Sequence, residues 1–91
     1  MVVAMYVVVV YDVEQRRVAK VCQFLRRYLN WVQNSAFEGE LSESQLEEVI
    51  VGVRKLVNRT SDSVYFYVIP DRKWCKRRVV GVEKSLSDTI L

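Results

Sequence analysis

This chain contains no histidine, and its two cysteines, Cys22 and Cys75, stand far apart and outside any CxxC spacing. A zinc site of the usual Cys/His kind is therefore nearly excluded. The same absence removes every Ser-His and Cys-His nucleophile pair. Catalysis, if there is any, must rest on carboxylates, hydroxyls, Arg or Lys, or a hard cation. Low-complexity tracts and internal repeats are absent too. The apolar opening is too short to span a bilayer and has no basic n-region. A cytoplasmic protein with reduced thiols and no membrane partner is the natural expectation. What is present is 91 residues, of which 51% are hydrophobic, enough for one domain spanning 1–91 and too apolar for disorder. Such a core is thin, and pairing with a second copy would help it. The 14 basic residues outnumber the 11 acidic ones, for a net charge of +3, which is a mild bias towards polyanions and names no partner alone.

The run Tyr6-Val7-Val8-Val9-Val10-Tyr11 leads straight into Asp12. β-Branched and aromatic residues in unbroken series predict a strand buried on both faces. A carboxylate at the end of such a strand, just before a helix, is the first suspect for chemistry, because ligand groups gather where a rigid element gives way to a loop.

Between Glu14 and Asn30, Val18, Val21, Cys22, Leu25, Tyr28 and Leu29 repeat with helical spacing. The other faces of that helix hold Arg16, Arg17, Lys20, Arg26 and Arg27. Residues 31–41 read as extended, with Gly39 marking a bend or a short hairpin. Ser42 and Gln45 form a capping box that opens a second helix. Its stripe is Leu46, Val49, Ile50, Val53, Leu56 and Val57, and Gly52 permits a close contact. Ser63–Ile69 is a strand stopped by Pro70-Asp71. A loop follows in which Arg72, Lys73, Lys76, Arg77 and Arg78 surround Trp74, and Val79–Val82 makes a further strand. The segment 85–91, ending Ile90-Leu91, is apolar enough to dock, with a partner protomer as the expected surface. Two helices among four or five short strands indicate an α+β fold. A ferredoxin-like split βαβ sandwich fits, with both helices on one face of an antiparallel sheet, provided that residues 31–41 supply both middle strands.

Asp12 has two readings. As a metal ligand it is half a site, since Mg²⁺ takes octahedral oxygen coordination. Two copies meeting across a twofold axis would share one cation, which could activate water for phosphodiester cleavage without histidine. As a helix N-cap it would accept backbone N–H bonds and do nothing more, a reading that helix mechanics slightly favour. Arg16 and Arg17 open the first helix within reach of anything bound near Asp12, and Arg forks suit phosphate. Arg26 and Arg27 read as a solvated face. The stretch 72–78 is either a backbone-tracking basic loop or an ordinary hairpin tip. Tyr11, Tyr65 and Tyr67 read as sheet residues rather than stacking platforms.

Tyr11-Asp12, the basic first helix, then Val32-Gln33-Asn34-Ser35-Ala36-Phe37-Glu38-Gly39-Glu40-Leu41 and a second helix together resemble the Cas-two family of small CRISPR-associated endoribonucleases and adaptation proteins. The resemblance covers nearly the whole chain. It implies a ferredoxin-like homodimer in which Asp12 faces its symmetry mate and binds one Mg²⁺ or Mn²⁺. Attributed activities are cleavage of single-stranded RNA or of DNA, and a structural role bridging Cas-one integrase while holding prespacer duplex DNA. Arg16 and Arg17 match the family's basic positions, and Tyr11, Ser35 and Phe37 its motif residues. The chain departs at Leu29-Asn30-Trp31, where a glycine and a basic residue are common, and at Ala36.

Overall fold

Alternation decides the first strand. In β1 (Ala4–Asp12), Val7, Val9 and Tyr11 are buried, while Tyr6, Val10 and Asp12 are exposed. The computed structural model describes residues 4–69 and 76–82. The chain continues through α1 (Gln15–Leu25), β2 (Asn30–Gln33), β3 (Ala36–Ser42), α2 (Glu43–Leu56), β4 (Ser63–Ile69) and β5 (Lys76–Gly81). The strands form one antiparallel sheet in the order β2-β3-β1-β4-β5. β3 is inserted between β1 and β2, which is the split βαβ arrangement, and β5 extends the sheet beyond β4. Both helices pack on one face, closing a core built from Val7, Val9, Val21, Leu25, Phe37, Leu41, Val49, Val53, Val64 and Phe66.

The sequence expectations hold for the fold class and for residues 31–41, which do supply both middle strands. The turn, however, lies at Asn34-Ser35, where Asn34 adopts φ 33°, and not at Gly39. Gly39 sits in mid-strand opposite Val7. The expected burial of β1 on both faces is also corrected. The helices cover a single face, so within one chain the other side of the sheet lies open. The expected basic loop is shorter than its composition implied, because Lys76, Arg77 and Arg78 begin β5 and pair with Val68, Tyr67 and Phe66. Arg72, Lys73 and the segment 85–91 lie outside the described residues.

Helix α2 starts where the capping box places it. The Ser42 hydroxyl accepts from the Gln45 N–H, and Gln45 Oε1 accepts from the Ser42 N–H at 2.9 Å. Glu43 in the first turn and Arg54 and Lys55 in the last suit the helix dipole. Gly52 faces the Phe24 ring so closely that a Cβ built there would stand 2.1 Å from Phe24 Cζ, which confirms the close contact between the helices.

Gly81 is more tightly constrained. Its φ is +102°, and a Cβ there would lie 1.8 Å from the Asp62 carbonyl oxygen. That neighbour is backbone and cannot swing aside. Gly81→Ala therefore lowers stability by about 3 kcal/mol, combining left-handed strain with overpacking. Urea unfolding measures this, and a change below about 1 kcal/mol would show that the end of β5 yields easily.

Candidate functional site at the end of the first strand

Asp12 stands exposed at the last position of β1, paired with Ser63 of β4, whose own neighbour across the sheet is Gly81. It does not occupy the N-cap of α1. That position belongs to Glu14, which makes no side-chain cap bond. The cap reading of Asp12 is overturned because the chain runs on for two residues before turning helical. The capping carboxylate comes instead from the turn before β4, where Asp62 Oδ1 accepts from the Glu14 N–H at 3.0 Å.

The segment that carries Asp12 is anchored on both sides. On one side, the Tyr11 N–H donates to the Ser35 carbonyl at 3.0 Å and the Tyr11 hydroxyl to the Asn34 carbonyl at 2.9 Å. With the phenolic proton used there, the Cys22 thiol, 3.1 Å away, donates to the Tyr11 oxygen. Burial, reinforced by Cys22, pushes the Tyr11 hydroxyl up to about 12. Tyr11 therefore stays a neutral donor that fastens the β2–β3 turn beside Asp12. Its ring lies 5.8 Å from that of Phe37 in the core, so both motif aromatics are packing residues. Ser35 is exposed in the turn.

On the other side stands Asp62, wholly buried. Arg17 grips it with two donors, Nε to Oδ2 at 2.7 Å and Nη2 to Oδ1 at 3.0 Å. The Asn58 N–H adds a bond to Oδ2 at 2.9 Å. The Asp62 backbone carbonyl accepts from the Val82 N–H at 2.8 Å, and the Ser63 hydroxyl bonds the Val82 carbonyl. The carboxylate thus ties the start of α1 to the chain just past α2, while the backbone carbonyl of the same residue holds the chain leaving β5. Nothing in the sequence reading singled it out. The signal was available, since Asp62 directly precedes the strong strand Ser63–Ile69 much as Asp12 directly follows one.

Arg17 holds the Asp62 carboxyl well below the usual carboxylate range, against burial, which works the other way. A carboxyl depressed in the folded state contributes stability above its unfolded value, about 3.9. That contribution declines as pH falls below that value towards the lower folded one. Stability is therefore flat in this respect at neutral pH and falls below roughly pH 4. In Asp62→Asn the acid-side slope is shallower, which urea midpoints across pH 2 to 6 would show; an unchanged slope would contradict it.

The expected nucleic-acid contacts do not form one group. Arg16 has a side chain that is 76% exposed, next to Glu14 at 3.1 Å. Arg17 is turned inward to Asp62, its side chain only 19% exposed. Lys76, Arg77 and Arg78 lie along β5 away from the row Asp12–Ser63–Gly81. Among the described residues no three His, Cys, Asp or Glu side chains gather as a metal cage, and no helix is long and apolar enough to cross a membrane.

Beside Asp12 the open face of the sheet is largely apolar. Tyr6 and Val10 are 38% and 39% exposed, and Val8, Tyr67 and Ile69 are half-buried. Tyr65 and Tyr67 stack with ring centres 6.4 Å apart, consistent with sheet residues. Glu38 hydrogen-bonds the Tyr6 phenol and raises its pKa.

The profile of the family described as CRISPR associated protein Cas2 matches residues 5–77. CRISPR-associated endoribonuclease Cas2 2 of Archaeoglobus fulgidus is 55% identical over 86 residues, covering 94% of each chain. CRISPR-associated endoribonuclease Cas2 of Dictyoglomus turgidum is 42% identical across 96% of this chain and 100% of that one. A solved structure described as "Crystal structure of cas2" superposes with a TM-score of 0.72 at 44% identity, covering 97% of this chain and 99% of the other. The strand ending in Tyr11-Asp12, the fold and these likenesses agree: the chain belongs to the CRISPR-associated protein Cas2 family.

Proposed function

We propose that this chain works as a homodimeric, divalent-metal-dependent endonuclease of CRISPR adaptation, with Asp12 of each protomer at the shared site. The observation that carries this reading is the position of Asp12, an exposed carboxylate at the margin of an apolar sheet face that a single chain leaves uncovered. Docking two such faces about a twofold axis buries the valines and tyrosines and draws the Asp12 pair together. The hard, anionic donor set fits Mg²⁺ or Mn²⁺, and one carboxylate per chain leaves room for water ligands. Bound there, the cation would supply Lewis-acid polarisation of a phosphodiester and a lowered pKa for bound water. Tyr11 and Asp62 fix the backbone on either side of Asp12. Arg16 is placed to bind a phosphate of single-stranded RNA or DNA.

Exposed cations along α1 and just past its end favour a second role for the same dimer. Arg16, Lys20, Arg26 and Arg27 face solvent, a distribution suited to the backbone of duplex DNA. In that role the dimer holds prespacer DNA and bridges Cas-one integrase without cutting.

Cleavage of labelled single-stranded RNA and duplex DNA, with Mg²⁺ and after chelation by EDTA, tests the first role. The expected result is cleavage with Mg²⁺, none after chelation and recovery on adding the ion back. Cleavage that persists in EDTA overturns the metal reading. DNA bound without cleavage in any condition transfers the function to the scaffold.

A further inference from the structure

We propose that Arg17 is a positioning residue, one that clamps the Asp12 segment through Asp62 and makes no nucleic-acid contact. The inference deepens the reading of Asp12 given above and rests on it. Arg17 sits in the first helical turn, where a free guanidinium would be within reach of a phosphate near Asp12. The geometry assigns it elsewhere. Both Nε and Nη2 are committed to the two oxygens of a carboxylate that is itself fully buried. Glu14 adds a third acidic contact, at 3.2 Å from Nη2. With its Nε/Nη2 edge engaged in this way, Arg17 cannot turn that bidentate edge to a phosphate without abandoning Asp62.

The clamp has a direct route to Asp12. The Asp62 oxygen that takes the Arg17 Nη2 bond also accepts the Glu14 N–H, two residues after Asp12. The next residue, Ser63, is the cross-strand partner of Asp12. Arg17 thus holds Asp62, and Asp62 fixes the chain on both the following and the lateral side of the carboxylate. Arg16, its neighbour in sequence, is 76% exposed with Nε on Glu14, and in the proposed reading it is the residue that meets phosphate.

The test compares Arg16→Gln, Arg17→Gln, Arg17→Lys and Asp62→Asn in the full-length protein. Amide hydrogen exchange reports the clamp. In Arg17→Gln and Asp62→Asn, the Glu14 and Asn58 amides exchange about tenfold faster relative to the core amides of Val49 and Phe66. Arg17→Lys, which keeps the charge but not the fork, keeps only part of the protection, and Arg16→Gln keeps all of it. Salt-dependent binding of a labelled single-stranded oligonucleotide reports phosphate contacts. Arg16→Gln lowers the slope of log K against log salt by about one unit, and Arg17→Gln leaves it unchanged. Where the wild type cleaves, Arg17→Gln and Asp62→Asn also raise the Mn²⁺ concentration for half-maximal rate by about tenfold. A lowered salt slope in Arg17→Gln overturns the proposal, as does exchange at Glu14 that matches the wild type. A wild type that neither cleaves nor binds Mn²⁺ refutes the metal reading, while the exchange measurement still decides the clamp.

Discussion

Asp62→Ala unfolds about 3 kcal/mol more easily than the wild type, a shift of roughly 12 to 24 °C in Tm for a domain of this size. The size of the effect follows from what is left behind. Removing the carboxylate orphans the Glu14 and Asn58 N–H groups and leaves the Arg17 guanidinium with the exposed Glu14 carboxylate and the Ser61 hydroxyl. An unsatisfied buried donor costs about 1 to 3 kcal/mol. The loss is at the lower end of the range for broken buried pairs, because the Arg17 side chain keeps some contact with water. Thermal and urea unfolding check it. A loss under about 1 kcal/mol would mean that water or a rearranged turn replaces Asp62, and the clamp would lose its basis.

Asp12→Asn lowers cleavage at least about 100-fold while leaving stability within about 0.5 kcal/mol of the wild type. The contrast with Asp62 follows from location. Asp12 is exposed at a strand end, so an isosteric replacement opens no cavity in the core. In a twofold dimer a single substitution nevertheless removes both anionic ligands from the shared site. Asparagine keeps the shape and an oxygen but loses the charge that holds a hard cation. Steady-state cleavage with unfolding and sedimentation of the same samples separates these effects. A variant that loses activity only because it unfolds or dissociates would contradict the assignment.

Much of the fold is legible from local signals that tertiary packing reinforces. The β-branched run of β1, the helical stripes of α1 and α2 and the Ser42–Gln45 box each point to the element that forms. What misled was context beyond the local pattern. Apolar composition alone made β1 look buried on both faces, whereas one chain buries only the Val7, Val9 and Tyr11 side. Asp12 resembled an N-cap because the helix start is ambiguous by a residue or two, and the true capping carboxylate lies 48 residues downstream of Glu14. Arg16 and Arg17 looked equivalent as two neighbouring cations, but adjacent helix positions point in different directions, and only the fold reveals that one of them meets Asp62. Asp12 itself stood out because a charge at the end of an apolar strand breaks the local pattern. Asp62 breaks the same pattern from the other end, before a strand, where a polar turn residue is commonplace.

The most direct test of the central claim is the rate at which purified wild-type protein and Asp12→Asn, both confirmed as folded dimers, cut labelled single-stranded RNA and duplex DNA with Mg²⁺ or Mn²⁺. The expected result is cleavage by the wild type and at least about 100-fold less by the variant. Equal rates in the two proteins would contradict it, as would no cleavage by either one.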